Sequence, residues 1–294
     1  MPHITTSDGI RLYWEATGEG HPVIFLHEFG GHHLSWEPQV RYFSRRYRCI
    51  AYAARGWPPS DVPGDVGRYS QARAADDCAD LMDALGIKRA HLVGLSMGAT
   101  AALEFAIRHP GRASALVIAA GGGGGATDAA AKARFRDECE GFARRIETEG
   151  MPAMAELYCT SSARTTYRWK DPRGWEEFKR QFAEGSAVGH AMTMRGVQGA
   201  RVPFFERTAE LQAIAEPMLV VIGDEDDSTH GLAVHLKQHV ARSGVLELPK
   251  CGHTINLEEP AAFNMAVQDF FHAVERDRWP ARAARNYTLI PPSR

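Results

Sequence analysis

A serine stands at the centre of the sequence GLSMG, residues 94–98, and its setting suggests nucleophilic chemistry. An apolar run, 90–93, precedes these residues, and a helix-forming run, 99–108, follows them. This pattern predicts a strand, a sharp turn and a helix, with the Ser96 hydroxyl at the apex of the turn. The two glycines allow a tight turn of strained backbone. Ser96 could instead only cap the following helix, a role that serine often fills.

Two later segments supply groups that could activate this hydroxyl. His253 follows a short apolar run, 245–248, and an earlier strand-like run, 217–222, ends in the acidic sequence GDEDD, residues 223–227. A serine hydroxyl needs a base within hydrogen-bond reach, and the base needs an anion that fixes its tautomer and stabilises its charged form. The chain therefore carries a serine, an acid and a histidine in that order, each after a predicted strand.

Three aspartates compete for the role of the acid: Asp224, Asp226 and Asp227. An acidic turn is often only solvated, so the residue types alone do not select one of the three.

The order of these residues, and the strand ends that carry them, resemble the α/β-hydrolase superfamily over nearly the whole chain. The resemblance implies that Ser96 is the nucleophile and that His253 is the general base and acid. It also implies that Asp226 is the orienting acid, because its spacing from Gly223 matches the G-x-x-D pattern of the family.

A further part of the resemblance follows the predicted buried strand 22–26. The sequence HEFGG, residues 27–31, looks like the H-G-x-x-G loop of the superfamily. By position, the backbone N–H groups of Phe29 and Met97 are then the donors to the oxyanion, each worth about 3–4 kcal/mol in related chemistry. Glu28 stands where the family usually has glycine. We expect a hydrogen-bonded carboxylate that points away from the site; repulsion of anionic substrates or a variant chemistry are the alternatives.

The sequence predicts neither a metal site nor a cofactor. His27 and His32 are five residues apart in a stretch with two glycines, whereas the metalloprotease motif needs histidines four apart on one helix face. The five glycines 121–125 are followed by neither an acid-bearing strand nor a Lys-Ser or Lys-Thr pair. We interpret them as a flexible hinge.

Composition excludes several classes of partner. The chain has 294 residues, 44% of them hydrophobic and 24% charged, with a net charge of −2. This balance is typical of a soluble globular protein and gives no electrostatic argument for a nucleic-acid or membrane partner. We expect a cytoplasmic protein, because no apolar run is long enough for a membrane span and the N-terminus resembles no signal peptide. The five scattered cysteines predict no disulfide framework, and we expect Cys251 to be a packing residue.

Apolar runs and helical patterns alternate along the rest of the chain, which predicts an α/β fold with a doubly wound, mostly parallel sheet. The predicted strands cover residues 10–16, 22–26, 49–53, 90–93, 115–119, 217–222 and 245–248. The predicted helices cover residues 35–47, 70–86, 97–108 and 260–276. Ligands of such folds bind at the carboxyl ends of the strands, where the candidate residues fall. The Arg55-Gly56 stretch resembles the family loop that supports the oxyanion loop, and we assign it no chemistry.

The alternation stops between residues 125 and 214, where the pattern is helical. The resemblance implies a helical cap over the site, with 1–124 and 215–294 forming the hydrolase core. The aromatic residues of the predicted cap are Phe135, Phe142, Tyr158, Tyr167, Trp169, Trp175, Phe178 and Phe182. We expect fewer than about half of these and of the cap methionines to contact substrate, because such residues more often form a core.

These observations together predict a capped hydrolase that cleaves a carboxylic ester of a small to medium, largely apolar molecule through an acyl-enzyme. The sequence also resembles enol-lactone hydrolases and the C–C hydrolases of aromatic ring-fission products. A cofactor-free oxygenase, in which the His–Asp pair does the chemistry, and a non-catalytic binding protein are further alternatives on this fold. A homodimer is compatible with the residues, although none of them selects it.

Overall fold

The computed structural model describes residues 2–122 and 128–282, and these residues contain one eight-stranded sheet. Its strands are β1 His3–Thr5, β2 Arg11–Thr17, β3 Pro22–Leu26, β4 Arg48–Tyr52, β5 Ala90–Leu95, β6 Ala113–Ala119, β7 Met218–Gly223 and β8 Ser243–Leu248. Their spatial order is β1-β2-β4-β3-β5-β6-β7-β8. All neighbours from β4 to β8 in this order pair in parallel, whereas β1 with β2 and β2 with β4 pair antiparallel. The predicted mostly parallel sheet is confirmed.

Helices connect the strands and cover both faces of the sheet. They are α1 Glu37–Phe43, α2 Gln71–Ala84, α3 Met97–Arg108, α4 Ala129–Cys159, α5 Thr165–Lys170, α6 Pro172–Ala183, α7 Ala187–Thr193, α8 Thr208–Ala213, α9 Asp227–His239, α10 Ile255–Glu258 and α11 Pro260–Glu275. Within residues 2–122 and 128–282, none of the helices combines the length and the apolar character needed to cross a membrane.

Two apolar cores lie on the two faces of the sheet. Along β3, the side chains of Ile24 and Leu26 lie in the core that α2 and α3 cover, whereas Val23 and Phe25 lie in the core that α1 and α11 cover. This alternation follows from the two-residue period of a strand, and burial on both faces explains why the strands are apolar throughout. The predicted doubly wound arrangement is therefore confirmed.

The observed elements differ from the prediction near the N-terminus. The short strand β1 was not predicted. The predicted helix 35–47 is shorter in the structure, where a 3₁₀ turn, His33–Trp36, precedes α1. Pro38 lies in the first turn of α1, where a backbone N–H has no acceptor within the helix, so that proline loses no helical hydrogen bond there.

The described residues between 128 and 214 contain helices and no strand. Helix α4 is interrupted at Gly150, which has a φ of 80°. Side chains of this stretch, called the cap segment below, form a third apolar cluster together with Phe29 and Met97. Its members from the cap segment include Met151, Met154, Trp175, Phe178 and Phe182.

The end of this segment packs differently. Phe204, Leu211 and Ile214 belong to the core that α2 and α3 cover, next to the sheet. The division of the chain at residues 125 and 214 stays a prediction. Of the predicted hinge 121–125, residues 123–125 lie outside the described part of the chain.

A buried histidine lies at the amino-terminal end of β5, on the far edge of the sheet from the strand ends that the sequence singles out. His91 is 2% exposed, and its ring stacks on Phe271 with centroids 4.2 Å apart. Neither of its ring nitrogens has a hydrogen-bond partner among the described residues. Burial, together with the nearby positive charges of His21 and Arg89, lowers the pKa of His91 from 6.5 to about 3.

We expect this histidine to make the fold sensitive to acid. Between about pH 6.5 and pH 3 the unfolded chain binds a proton that the folded chain does not, so stability falls as the pH falls, by at most about 1.4 kcal/mol per pH unit. The variant His91→Leu keeps an apolar contact with Phe271 and should reduce this dependence, to which the buried His27 and His190 also contribute because their pKa values are lowered as well. Urea unfolding at several pH values between about 7 and 5 measures the slope.

The matched control is His230→Gln. Glu247 raises the pKa of His230, so loss of that pair should change the slope in the opposite sense, and only slightly because the pair is exposed. Identical slopes for His91→Leu and the wild type would contradict the prediction.

Candidate active site

Ser96 lies at a sharp turn between β5 and α3. Its backbone has a φ of 53° and a ψ of −109°, a conformation that non-glycine residues rarely adopt. The turn also requires both glycines, because a Cβ on Gly94 would lie 2.3 Å from the carbonyl oxygen of Gly98, and a Cβ on Gly98 would lie 2.0 Å from that of Leu26. The Ser96 side chain makes no capping hydrogen bond to α3, so the helix-cap alternative is wrong.

Asp226 and His253 form a hydrogen-bonded pair. Asp226 lies on the loop after β7, and its side chain is 1% exposed. Its Oδ2 lies 2.5 Å from Nδ1 of His253. The Ser228 hydroxyl donates to Oδ1 over 2.7 Å. Burial alone would raise the pKa of Asp226, but the hydrogen bonds from His253 and Ser228 and the positive charge of Arg164 outweigh it and hold the pKa below its ordinary value. The carboxylate is therefore ionised at neutral pH.

The two rival aspartates lie elsewhere. Oδ1 of Asp224 accepts a hydrogen bond from the backbone N–H of Cys251 over 3.1 Å. Asp227 is exposed in the first turn of α9. Of the three candidates, the structure brings Asp226 to His253.

Backbone hydrogen bonds connect the loops that carry these residues. The N–H of Ser96 donates to the carbonyl of Ala119 at the end of β6 over 2.8 Å. The N–H of Glu225, after β7, donates to the carbonyl of Cys251, after β8, over 3.0 Å. Because β5 to β8 are parallel neighbours, all of these loops leave the same edge of the sheet.

The two residues predicted to hold the oxyanion lie on adjacent elements. Leu26, the last residue of β3, pairs with Gly94 of β5, so the loop that contains Phe29 begins beside the turn at Ser96. Met97 is the first residue of α3, where backbone N–H groups have no partner within the helix. The side chains of Phe29 and Met97 are buried in the same apolar cluster.

A histidine braces the loop after β3. The backbone N–H of Ala54 donates to Nε2 of His27 over 3.0 Å, so this nitrogen is the acceptor. Nδ1 of His27 then carries the proton and donates to the carbonyl of Glu28 over 2.7 Å. Burial lowers the pKa of His27 to about 3, which keeps the ring neutral and this arrangement fixed at ordinary pH. Arg55, in the stretch expected to support the oxyanion loop, binds Asp77 instead.

Glu28 is 1% exposed and forms an ion pair with Arg164 of the cap segment. The hydroxyl of Tyr158 lies 3.4 Å from the same carboxylate oxygen, Oε2. The other oxygen, Oε1, has no partner among the described residues. The expectation of a hydrogen-bonded Glu28 is confirmed, and the partners come from the cap.

Sequence reasoning missed two cap residues at this site. Arg164 faces Glu28, and the carbonyl of Ala163 accepts a hydrogen bond from the backbone N–H of His253 over 2.8 Å. Arg164 is one of 34 basic residues, and its neighbours in the sequence carry no motif. Only the three-dimensional contact distinguishes it.

Other candidate chemistry near the site is not supported by geometry. Cys251 is buried, and burial raises the pKa of its thiol, so that a thiolate nucleophile is disfavoured. Among the described residues, no three histidine, cysteine, aspartate or glutamate side chains are grouped closely enough to bind a metal ion.

Comparison with known proteins places the chain in a family. The family model for the alpha/beta hydrolase fold matches residues 21–260. The 3-oxoadipate enol-lactonase 2 of Acinetobacter baylyi is 28% identical over 266 residues, which cover 90% of this chain and 94% of that protein.

Two solved structures have the same fold over most of their length. The enol-lactonase from Burkholderia xenovorans has a TM-score of 0.80 at 25% identity, with 92% of this chain and 100% of that chain covered. A thermophilic esterase from Thermogutta terrifontis has a TM-score of 0.81 at 26% identity, with 93% and 98% covered. Because the family model spans most of the chain, this protein belongs to the α/β-hydrolase fold family and is a hydrolase of that family.

Proposed function

We propose that this hydrolase cleaves a carboxylic ester of a small to medium-sized, largely apolar molecule through an acyl-enzyme intermediate. The observation that carries the proposal is the combination of a strained serine at the turn before α3 with a buried, ionised aspartate bonded to His253. A serine on a strained strand-to-helix turn and an aspartate that orients a histidine are two features of serine hydrolysis on this fold.

The reaction begins when Oγ of Ser96 attacks the ester carbonyl carbon and His253 takes the hydroxyl proton. The negative charge moves to the carbonyl oxygen, to which the backbone N–H groups of Phe29 and Met97 donate hydrogen bonds. Collapse of this intermediate breaks the bond to the alcohol, which leaves with the proton from His253. Water then attacks the acyl-enzyme by the same steps, and Asp226 holds the Nδ1 proton of His253 throughout.

The surroundings of Phe29 support an apolar substrate. Five rings lie with their centroids 5.1–6.1 Å from the Phe29 ring; they are Trp57, Phe142, Tyr158, Phe182 and His190. A cavity of about 40 Å³ beside Met97 is also lined largely by apolar side chains, among them Leu26, Tyr69 and Val197, but neither Ser96 nor His253 lines it. Trp169 is 74% exposed and takes no part in this enclosure.

A lactone is the second candidate substrate, because a lactone is a cyclic ester and the same residues would open it. The similarity to the enol-lactonases of Acinetobacter baylyi and Burkholderia xenovorans favours this candidate. Cleavage of a C–C bond and cofactor-free oxygenation use related residues and are separated from ester hydrolysis by the experiments below.

A fluorophosphonate probe should label the wild type and not Ser96→Ala, because an activated serine displaces fluoride from the probe and becomes phosphonylated. We expect the same variant to lose ester hydrolysis by about 10⁴-fold or more. Cys251→Ala is the control and should remain labelled.

Labelling that survives in a correctly folded Ser96→Ala protein, as judged by circular dichroism, would be evidence against the esterase. Turnover that consumes dioxygen and survives Ser96→Ala would favour the oxygenase.

Substitution of the three aspartates tests the identity of the acid. Asp226→Asn should lower kcat by about 10⁴-fold, because the amide would favour the wrong tautomer of His253. The matched controls Asp224→Asn and Asp227→Asn should remain within about threefold of the wild type, because neither side chain bonds to His253. A large loss in either control with an active Asp226→Asn would overturn the assignment. Steady-state kinetics on one nitrophenyl ester gives all three values.

A substrate panel separates the two candidate functions. We expect kcat/KM to be largest for nitrophenyl esters with short or medium apolar acyl groups, and to fall when the acyl group carries a charge. The panel should also include an enol-lactone and a ring-fission dienoate. A larger kcat/KM on the lactone than on any open-chain ester would favour a lactonase. Release of a cleavage product from the dienoate would favour C–C bond hydrolysis.

A further inference from the structure

One short stretch of the cap, residues 158–166, contacts both loops that carry the proposed chemistry. On the side of the oxyanion loop, Nη2 of Arg164 donates to Oε2 of Glu28 and, over 2.8 Å, to the hydroxyl of Tyr158. The Arg164 guanidinium also lies 4.1 Å from the centre of the Tyr158 ring. A Cβ on Gly30 would lie 2.4 Å from that ring, so the loop backbone packs directly against it.

The same stretch holds the histidine loop. Besides the hydrogen bond from the His253 N–H to Ala163, the hydroxyl of Thr166 donates to Oε2 of Glu258 over 2.7 Å. The Glu258 carboxylate in turn accepts from the backbone N–H groups of Gly252 and Thr254, over 2.9 and 3.1 Å, on either side of His253. The backbone around the histidine is thus fixed by a carboxylate that the cap orients.

Electrostatics link the two loops through Arg164. Its side chain is buried and paired with Glu28, and its positive charge is one of the smaller contributions to the lowered pKa of Asp226. A buried ion pair commonly stabilises a fold no more than an apolar pair of the same volume would. It does, however, hold its two side chains in one specific geometry. The buried pair between Arg164 and Glu28 therefore suits a role in placing the loop better than a role in stabilising the fold.

We propose that Arg164 and Glu28 are positioning residues: the cap arginine holds the oxyanion loop through Glu28 and so fixes the Phe29 N–H relative to Ser96. This inference rests on the proposed serine hydrolase function. In consequence, the oxyanion site is complete only while the cap is closed on both loops.

The variants Arg164→Met and Glu28→Gln test the pair. Each should lower kcat for a nitrophenyl ester by about 10- to 100-fold, because a misplaced donor loses part of its effect on the oxyanion. KM should change less than about threefold, since the pair is not proposed to bind the substrate in its ground state. The affinity for a trifluoromethyl ketone, which mimics the tetrahedral intermediate, should fall in parallel with kcat.

The double variant and a matched control sharpen the test. Arg164→Met with Glu28→Gln should lose less than the product of the two single losses, because the residues act as one unit. Lys170→Met is the control, since Lys170 also forms an ion pair between the cap and the core, with Glu259, but at a partly exposed position where it pairs with neither Glu28 nor Asp226. We expect its kcat to match that of the wild type.

The pH profile provides a readout that a merely structural role would not move. The charged groups around His253 are Asp226, Arg164 and Glu258, with Glu28 beyond Arg164. Loss of the Arg164 charge favours the imidazolium form, so the acidic limb of kcat/KM should move to higher pH in Arg164→Met. In Glu28→Gln it should move to lower pH. Shifts of opposite sign support the proposal, and the absence of both shifts counts against it.

The outcomes separate this inference from the proposed function. If the wild type neither reacts with the fluorophosphonate nor hydrolyses any ester, the proposed function fails. If the wild type is active and both single variants match it in kcat and inhibitor affinity, only the positioning role is overturned. If Arg164→Met does not fold, Glu28→Gln and Glu28→Gly test the positioning role instead. Glycine is a suitable replacement because it is the usual residue of the family at that position. Wild-type kcat in both would overturn the proposal.

Discussion

The close approach of α3 to β3 is the constraint on which the site depends. Gly98 lies so near the carbonyl of Leu26 that no side chain fits between them, and this contact brings the N-terminus of α3 to the end of β3. The helix begins at Met97, so its free N–H groups lie beside the loop that contains Phe29. Holding Ser96 at positive φ costs on the order of 1–3 kcal/mol, which the buried strands and helix around it must offset.

Side chains of the cap segment pack against the loops that carry the candidate site. Phe29 and Met97 belong to an apolar cluster that otherwise consists largely of cap side chains, such as Phe178 and Phe182. Gly189 of α7 lies against the backbone of Gly56, so the cap also meets the loop that braces His27. The cap segment is therefore packed against the loops that contain Phe29 and Gly56.

The sequence predicts those features that local pattern encodes. The motif around Ser96 and the strand ends before Asp226 and His253 are short-range signals, and they located the elements that the structure brings together. The partner of Glu28 could not be predicted, because Arg164 lies far away in the chain and reaches Glu28 only through cap packing. Strand β1 escaped prediction because three residues are too few to show a two-residue period.

Glu28 shows why a departure from a family motif can be compatible with the family's chemistry. An unpaired carboxylate at this buried position would be strongly unfavourable. Arg164 compensates this charge in an ion pair, and its positive charge also contributes to the lowered pKa of Asp226 on a different loop. In this chain, the residue that replaces the usual glycine is accompanied by a cation from the cap segment. Because this cation comes from the cap, a change in cap sequence alters the electrostatics of the site even when the elbow and the His–Asp pair stay the same.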